Sequence, residues 1–231
     1  MESFGQGARA AVIGASGGIG GAVADALDAD PAFAEVLRFS RHGPARIDAT
    51  DEMSVEAAAA QAGPLDLVFV AVGLLHDGPA FQPEKDLRAL DADRLARSFL
   101  VNAIGPALVA KHFLPLLPRK GRGVFACLSA RVGSIADNQA GGWYGYRASK
   151  AALNMLLKNA ALETARKRPD HVILALQPGT VDTALSKPFQ SAARTLMTPQ
   201  ESAAALLAVV DRARPEWSGG LFDWRGARIP F

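Results

Sequence analysis

"AAVIGASGGIGGAV", residues 10–23, sets a short β-branched apolar run against a cluster of glycines and then resumes as an alanine-rich segment. This reads as strand, tight turn and helix, with Gly14, Gly18 and Gly20 in a G-x-x-x-G-x-G spacing. The first glycine permits a sharp turn, and the others let backbone come close to a pyrophosphate. The open N–H groups of the following helix would meet its charge. No G-K-[ST] ending follows, so a nucleoside triphosphate loop is not indicated and a dinucleotide fits better. The candidate contacts are Gly14, Ser16, Gly17, Gly18, Ile19 and Gly20.

Working outward, "RAAVIG", "EVLRFS", "LDLVFVAV", "GVFACLS", "VILALQ" and "GGLFDW" read as strands. Helices are expected near 18–28, 52–62, 91–117, 145–167 and 199–213. Strands of continuous apolar character joined through helices predict an α/β fold: a doubly wound parallel sheet covered on both faces, with right-handed crossovers. No repeat, charge block or proline-rich linker divides the chain, so residues 1–231 read as one dinucleotide-binding domain. The irregular stretch between the last two strands is expected to form a substrate lid at about 184–198. Its Leu185, Phe189, Leu196 and Met197 suggest an apolar substrate surface.

The 231 residues are 49% apolar and 21% charged with a formal charge of +2, which leaves no electrostatic footprint for nucleic acid or an anionic membrane and points to a small-molecule ligand. The single cysteine, Cys127, lies in an apolar run and reads as a buried thiol in a reducing compartment. The N-terminus lacks a signal-peptide plan and the apolar run "LVFVAVGLL" is about half a membrane span, so the expected location is the cytoplasm. The four histidines show no metal-ligand spacing, and no metal is expected.

In dinucleotide folds an acid at the end of the second strand holds the ribose 2′-hydroxyl of NAD, whereas a basic residue accommodates the 2′-phosphate of NADP. Here "VLRFSRHG" places Ser40 and Arg41 at that point. Arg41, with Arg38 or His42 as possible helpers, indicates NADP(H). Asp48 is a candidate neighbour of the adenine amino group, with capping of the helix at 52 as the alternative.

"YGYRASK", residues 144–150, holds both tyrosines of the chain. Residues four apart on a helix differ by about 40° around its axis, so Tyr146 and Lys150 share a face while Tyr144 does not. A phenol with a pKa near 10 is a poor acid at neutral pH, and an adjacent ammonium is expected to draw that pKa down. The pair suits a carbonyl oxygen that receives a proton as its carbon receives a hydride, an effect worth about 10²–10⁴ in rate.

The glycine turn, "VNAIG" with Asn102, "CLSARVGS", "YGYRASK" and "PGTVDT" follow one another in an order that resembles the short-chain dehydrogenase/reductase family. The stretch from "LSARVGSIADNQAGGWYGYRASK" onward and the ending "SGGLFDWRGARIPF" are similar to the branch of bacterial C-factor proteins and sniffer-type carbonyl reductases. The resemblance implies a single-domain Rossmann fold with a seven-stranded parallel sheet, NADP(H), reduction of a small-molecule carbonyl (aldehyde, ketone or quinone), and a homodimer or homotetramer. It also implies roles: Tyr146 as acid/base, Lys150 lowering its pKa and holding the nicotinamide ribose, and Asn102 positioning the lysine through a water. Gly73 would permit the cofactor's close approach, and Pro178, Gly179, Val181 and Thr183 would meet the carboxamide.

Two departures stand out. The family's carbonyl-orienting serine lies three residues before a glycine, and counting back from Gly133 reaches Ala130. Ser129 is one residue early and, by strand alternation, faces away unless the strand end twists; Ser134 is a second candidate. One lost oxyanion donor can cost about 10²–10³ in rate. The second departure is "VAVG" at 70–73, where the family commonly reads N-N-A-G. A dinucleotide-binding regulatory protein with weak catalysis is therefore the leading alternative to the reductase. A sugar-nucleotide epimerase or dehydratase is a further one, although such relatives generally carry a larger C-terminal region. Arg131 and Arg147 flank the expected site, either as selectors of an anionic substrate or as ion-paired residues; Trp143, Trp217 and Trp224 read as packing or subunit contacts.

Overall fold

Runs such as "LVFV" and "VFACL" have no polar face, so each must be covered from both sides. In the computed structural model, which describes residues 1–192 and 195–231, they form the inner strands of a single large sheet. The chain runs β1 (Ala8–Ile13), α1 (Gly18–Asp28), β2 (Phe33–Ser40), β3 (Ala45–Arg46), α2 (Glu52–Ala62), β4 (Leu67–Val70), α3 (Ala92–Phe99), α4 (Gly105–Phe113), β5 (Val124–Leu128), α5 (Tyr144–Ala165) and β6 (Val172–Gln177). It ends with β7 (Thr180–Val181), β8 (Leu196–Met197), α6 (Pro199–Arg212), β9 (Gly220–Asp223) and β10 (Arg228–Ile229).

The sheet order is β10-β9-β6-β5-β4-β1-β2-β3. The seven strands from β9 to β3 are parallel, as expected, and β10 adds an antiparallel edge that the sequence reading did not include. The two-residue strands β3 and β10 are too short for an apolar period to show. In the segment expected to form the lid, Leu196–Met197 makes a separate ladder with Thr180–Val181. Of the lid's expected residues, Ala193 and Arg194 lie outside the described residues.

Strand alternation divides the core in two. Phe125 and Cys127 of β5 face α2, α4 and α5, where Val55, Phe113, Leu153 and Leu157 pack; Val124, Ala126 and Leu128 face α1 and α6, where Val23, Leu27, Leu206 and Val210 pack. Cys127 is fully buried and its thiol is pushed up to about 12 by burial, so it is an inert core residue.

The helix expected at 91–117 is one path, Ala92–Leu116, with a π turn at Leu100–Ile104. It is long and apolar enough to cross a membrane, yet Val109, Ala110 and Phe113 on its inner face belong to the core. The π turn carries the buried Asn102, in keeping with the tendency of such turns to occur at functional positions.

Candidate active site

Gly14 follows β1 with φ +90, and a Cβ there would lie 2.7 Å from the Ala71 carbonyl oxygen. At Gly20 a Cβ would lie 2.3 Å from the Gly14 oxygen, and at Gly18 it would meet the Thr183 methyl at 2.8 Å. The three glycines thus let β1, α1, the end of β4 and the loop after β6 converge. Beside them lies a cleft of about 550 Å³ whose lining includes Gly14, Ser16, Gly17, Ser40, Arg41, Asp48 and Gly73. Adjoining it, Arg41, His42, Arg46 and Asp48 line a polar recess of about 500 Å³.

Arg41 is exposed and makes no ion pair among the described residues. Arg38 is not its helper: it pairs with Asp25 and Asp28 of α1, while Arg46, which sequence reasoning missed, lies in the recess instead. Ser40 is buried and donates to the His42 carbonyl at 3.0 Å. Asp48 does not cap α2, a role taken by Asp51. It accepts from the Thr50 hydroxyl and N–H, which hold its carboxyl below the usual range, with Arg41 adding to the effect.

Tyr146 and Lys150 share a face of α5, with the lysine Nζ 5.9 Å from the phenol ring centre. Lys150 is buried and its Nζ donates to the Leu128 carbonyl at 2.9 Å, at the end of β5. Burial pushes this amine down to about 8 and the Tyr146 phenol up to about 12. The direction at the phenol is opposite to the sequence expectation: the ammonium donates to the Leu128 carbonyl, and desolvation sets the shift of the phenol. The phenol therefore stays protonated at neutral pH.

Asn102 accepts from the Leu74 N–H at 2.7 Å and donates to the Leu74 carbonyl at 2.8 Å and to Ser149 Oγ at 3.1 Å. It pins the loop after β4 and the first turns of α5 together. Gly73 lies between: a Cβ there would be 3.6 Å from Asn102 Oδ1 and 3.8 Å from Lys150 Nζ. Gly179 has φ +84 and a Cβ on it would meet the Met197 sulfur at 3.0 Å, so the turn into β7 is packed against β8. Val181 is buried in that ladder and the Pro178 carbonyl accepts from Ser202.

The serines are engaged elsewhere. Ser129 is buried and donates to Asn154 Oδ1 at 2.7 Å, two turns beyond Tyr146 along α5. Ser134 accepts from the Asp137 N–H. Strand alternation thus holds, and the residue three before Gly133, where a hydroxyl is expected, is Ala130. The arginines are engaged too: Arg131 pairs with Asp137, and Arg147 donates to the carbonyls of Gly141 and Gly142. Three rings close the space beside the phenol: Trp143 lies 6.2 Å from Tyr146 and 5.0 Å from Phe189, which lies 5.7 Å from His76, centre to centre. His76 also bonds the Ala184 carbonyl, tying the loop after β4 to the lid. Only the apolar lid was anticipated; no spacing in the sequence marks His76 or Trp143.

Between about pH 8 and 10.5 the unfolded chain holds a proton on Lys150 that the folded chain has released, so this residue's contribution to stability rises with pH across that window. In urea denaturation, the native protein should gain stability relative to Lys150→Met as pH rises through the window. A difference that does not change with pH would show that the ammonium is not desolvated.

Residues 40–194 match the family model described as short chain dehydrogenase. The C-signal of Myxococcus xanthus is 38% identical over 143 residues, covering 62% of this chain and 81% of the relative. Among solved structures, a carbonyl reductase, Sniffer, of D. melanogaster superposes with a TM-score of 0.84 at 20% identity, covering 98% of this chain and 100% of that one. A short-chain dehydrogenase/reductase from Burkholderia multivorans with bound NADP gives 0.81 at 26% identity, covering 97% and 99%. The family model spans most of the chain, from the end of β2 to the lid, and with the parallel sheet it establishes that this protein belongs to the short-chain dehydrogenase family.

Proposed function

We propose that the chain is an NADP(H)-dependent reductase of a neutral, apolar carbonyl, with Tyr146 as the proton donor. The observation that carries this reading is the pairing of a half-buried Tyr146 with a buried Lys150 at the head of α5, next to a glycine-lined cleft. The cleft fits a dinucleotide, because Gly14, Ser16 and Gly17 line it at the start of α1, and Gly18 and Gly20 let that helix begin close against the end of β1 and the loop after β6. Arg41, with His42 and Arg46 in the adjoining recess, suits a 2′-phosphate. The Burkholderia structure with bound NADP supports the same choice.

When bound, NADP(H) supplies the hydride that the carbonyl carbon receives. Tyr146 gives its proton to the carbonyl oxygen, so that C=O becomes CH–OH. Burial keeps that proton in place until negative charge develops on the oxygen. Lys150, pushed down to about 8, can return a proton to the phenolate left behind. Asn102 holds the loop that Lys150 faces. The rings of Trp143, Phe189 and His76, with both nearby arginines occupied, favour an uncharged substrate. Exposed Met155, Leu156 and Leu162 on α5, beside a groove shared with α4, support the expected homo-oligomer.

A second reading, a dinucleotide-binding regulatory protein, is favoured by Ala130 and by the engagement of both serines. The two are separated by NADPH consumption against aldehydes, ketones and quinones. Tyr146→Phe should lower turnover by about 10²–10⁴ while NADPH still binds; binding without turnover in the native protein would favour the regulatory reading. Arg41→Ala should weaken NADPH by about tenfold or more, and NADH far less, in a titration of binding. Ala130→Ser should raise kcat by about tenfold or more, part of the 10²–10³ that an oxyanion donor is worth; an unchanged kcat would mean that the carbonyl does not lie against residue 130.

A further inference from the structure

The start of α5 has an unusual construction. Residue 143, which precedes the helix, is a tryptophan at φ 51, ψ 42, and among the described residues it is the one non-glycine at positive φ. Bulky residues seldom adopt this conformation, which persists only where the surroundings enforce it. A tryptophan also offers no oxygen to the open N–H groups of the first turn, where a helix normally takes a serine, threonine or aspartate.

Glu84, in the loop between β4 and α3, supplies what is missing. Its carboxylate accepts from the Gly145 N–H at 3.0 Å, and its backbone carbonyl accepts from the Trp143 N–H. The residue is 5% exposed and makes no ion pair among the described residues. A buried carboxylate without a cation is costly unless hydrogen bonds and a helix N-terminus compensate it, and α5 provides both. Gly145 completes the fit: a Cβ there would lie 3.0 Å from Glu84 Oε1 and 3.0 Å from Ser98 Oγ. From the other side, Arg147 braces the carbonyls of Gly141 and Gly142, so Trp143 is held from before and after.

We propose that Glu84 is a positioning residue for Tyr146. Tyr146 is the residue after Gly145, and a slip of the helix start by one residue would swing its side chain by about 100° around the axis. By fixing Gly145, Glu84 sets the rotation at which the phenol meets the substrate. The proposal rests on the reading of Tyr146 as proton donor.

The test uses the full chain with Glu84→Ala and Glu84→Gln, measuring kcat and KM for a carbonyl found to turn over, NADPH affinity, and hydrogen exchange at the amides of residues 144–150. Glu84→Ala should lower kcat by about tenfold or more, as misplacement of a catalytic group does, with NADPH affinity within about twofold and faster exchange in the first turn. Glu84→Gln, whose amide oxygen can still accept from Gly145, should restore kcat to within about threefold. The proposal is overturned if Glu84→Ala keeps native kcat, if Gln is as impaired as Ala, or if NADPH affinity falls in step with kcat. Should Glu84→Ala fail to fold, Gly145→Ala presses a methyl against the same carboxylate and must show the same loss of kcat; native kcat there also overturns it. Full turnover by Tyr146→Phe would instead refute the proton-donor reading, a result that the exchange measurement on the clamp does not depend on.

Discussion

Lys150 is the point at which the demands of the fold and of the chemistry meet. An ammonium is held in the interior with the Leu128 carbonyl as its hydrogen-bond partner, and its depressed pKa records the cost. Its neighbours are shaped around it. Gly133 lacks a side chain where a Cβ would sit 2.7 Å from Lys150 Cβ, and Gly73 leaves room before the Nζ. Asn102, turned inward by the π turn, closes the remaining side through Leu74 and Ser149. The sheet contributes a rigid strand end, and the helices contribute everything that must be aimed.

Such a centre can be tolerated because the rest of the chain is conventional. Strands with no polar face are covered by α1 and α6 on one side and by α2, α4 and α5 on the other, with fully buried Phe39, Phe69, Phe113 and Phe125 as the largest members. Local departures from favourable rules collect at the head of α5: a left-handed tryptophan, a buried glutamate that makes no ion pair among the described residues and a desolvated lysine. Strain confined to one functional edge and offset by a regular core is the pattern expected of a working site.

This division explains what the sequence discloses. The glycine turn, the continuous apolar strands and the four-residue spacing of Tyr146 and Lys150 are local signals, and each predicts its element closely. Ser129, the serine favoured from the sequence for orienting the carbonyl, is instead turned toward Asn154, as strand alternation requires. Contacts that join distant segments are not legible. Arg38 resembles a phosphate ligand until α1 brings Asp25 and Asp28 to it. Glu84 lies 61 residues from the amide it caps, in a loop with no periodic pattern. The direction of the phenol's pKa is missed for the same reason: proximity along a helix is visible in a sequence, but the desolvation imposed by distant segments is not.

The replacement of a hydroxyl by Ala130 gives the aim of the phenol additional weight. With two donors around a developing oxyanion, an error in the placement of one is partly shared by the other. With both serines bonded elsewhere, the proposed reaction leaves Tyr146 as the side chain that must meet the oxygen. Catalysis by a single donor then depends steeply on distance and angle. A helix whose first turn is fixed by a carboxylate, whose preceding residue is locked from both sides and whose inner face is pinned by Asn102 is the arrangement such a site requires. Rigidity at the head of α5 and the missing hydroxyl are two sides of one physical constraint.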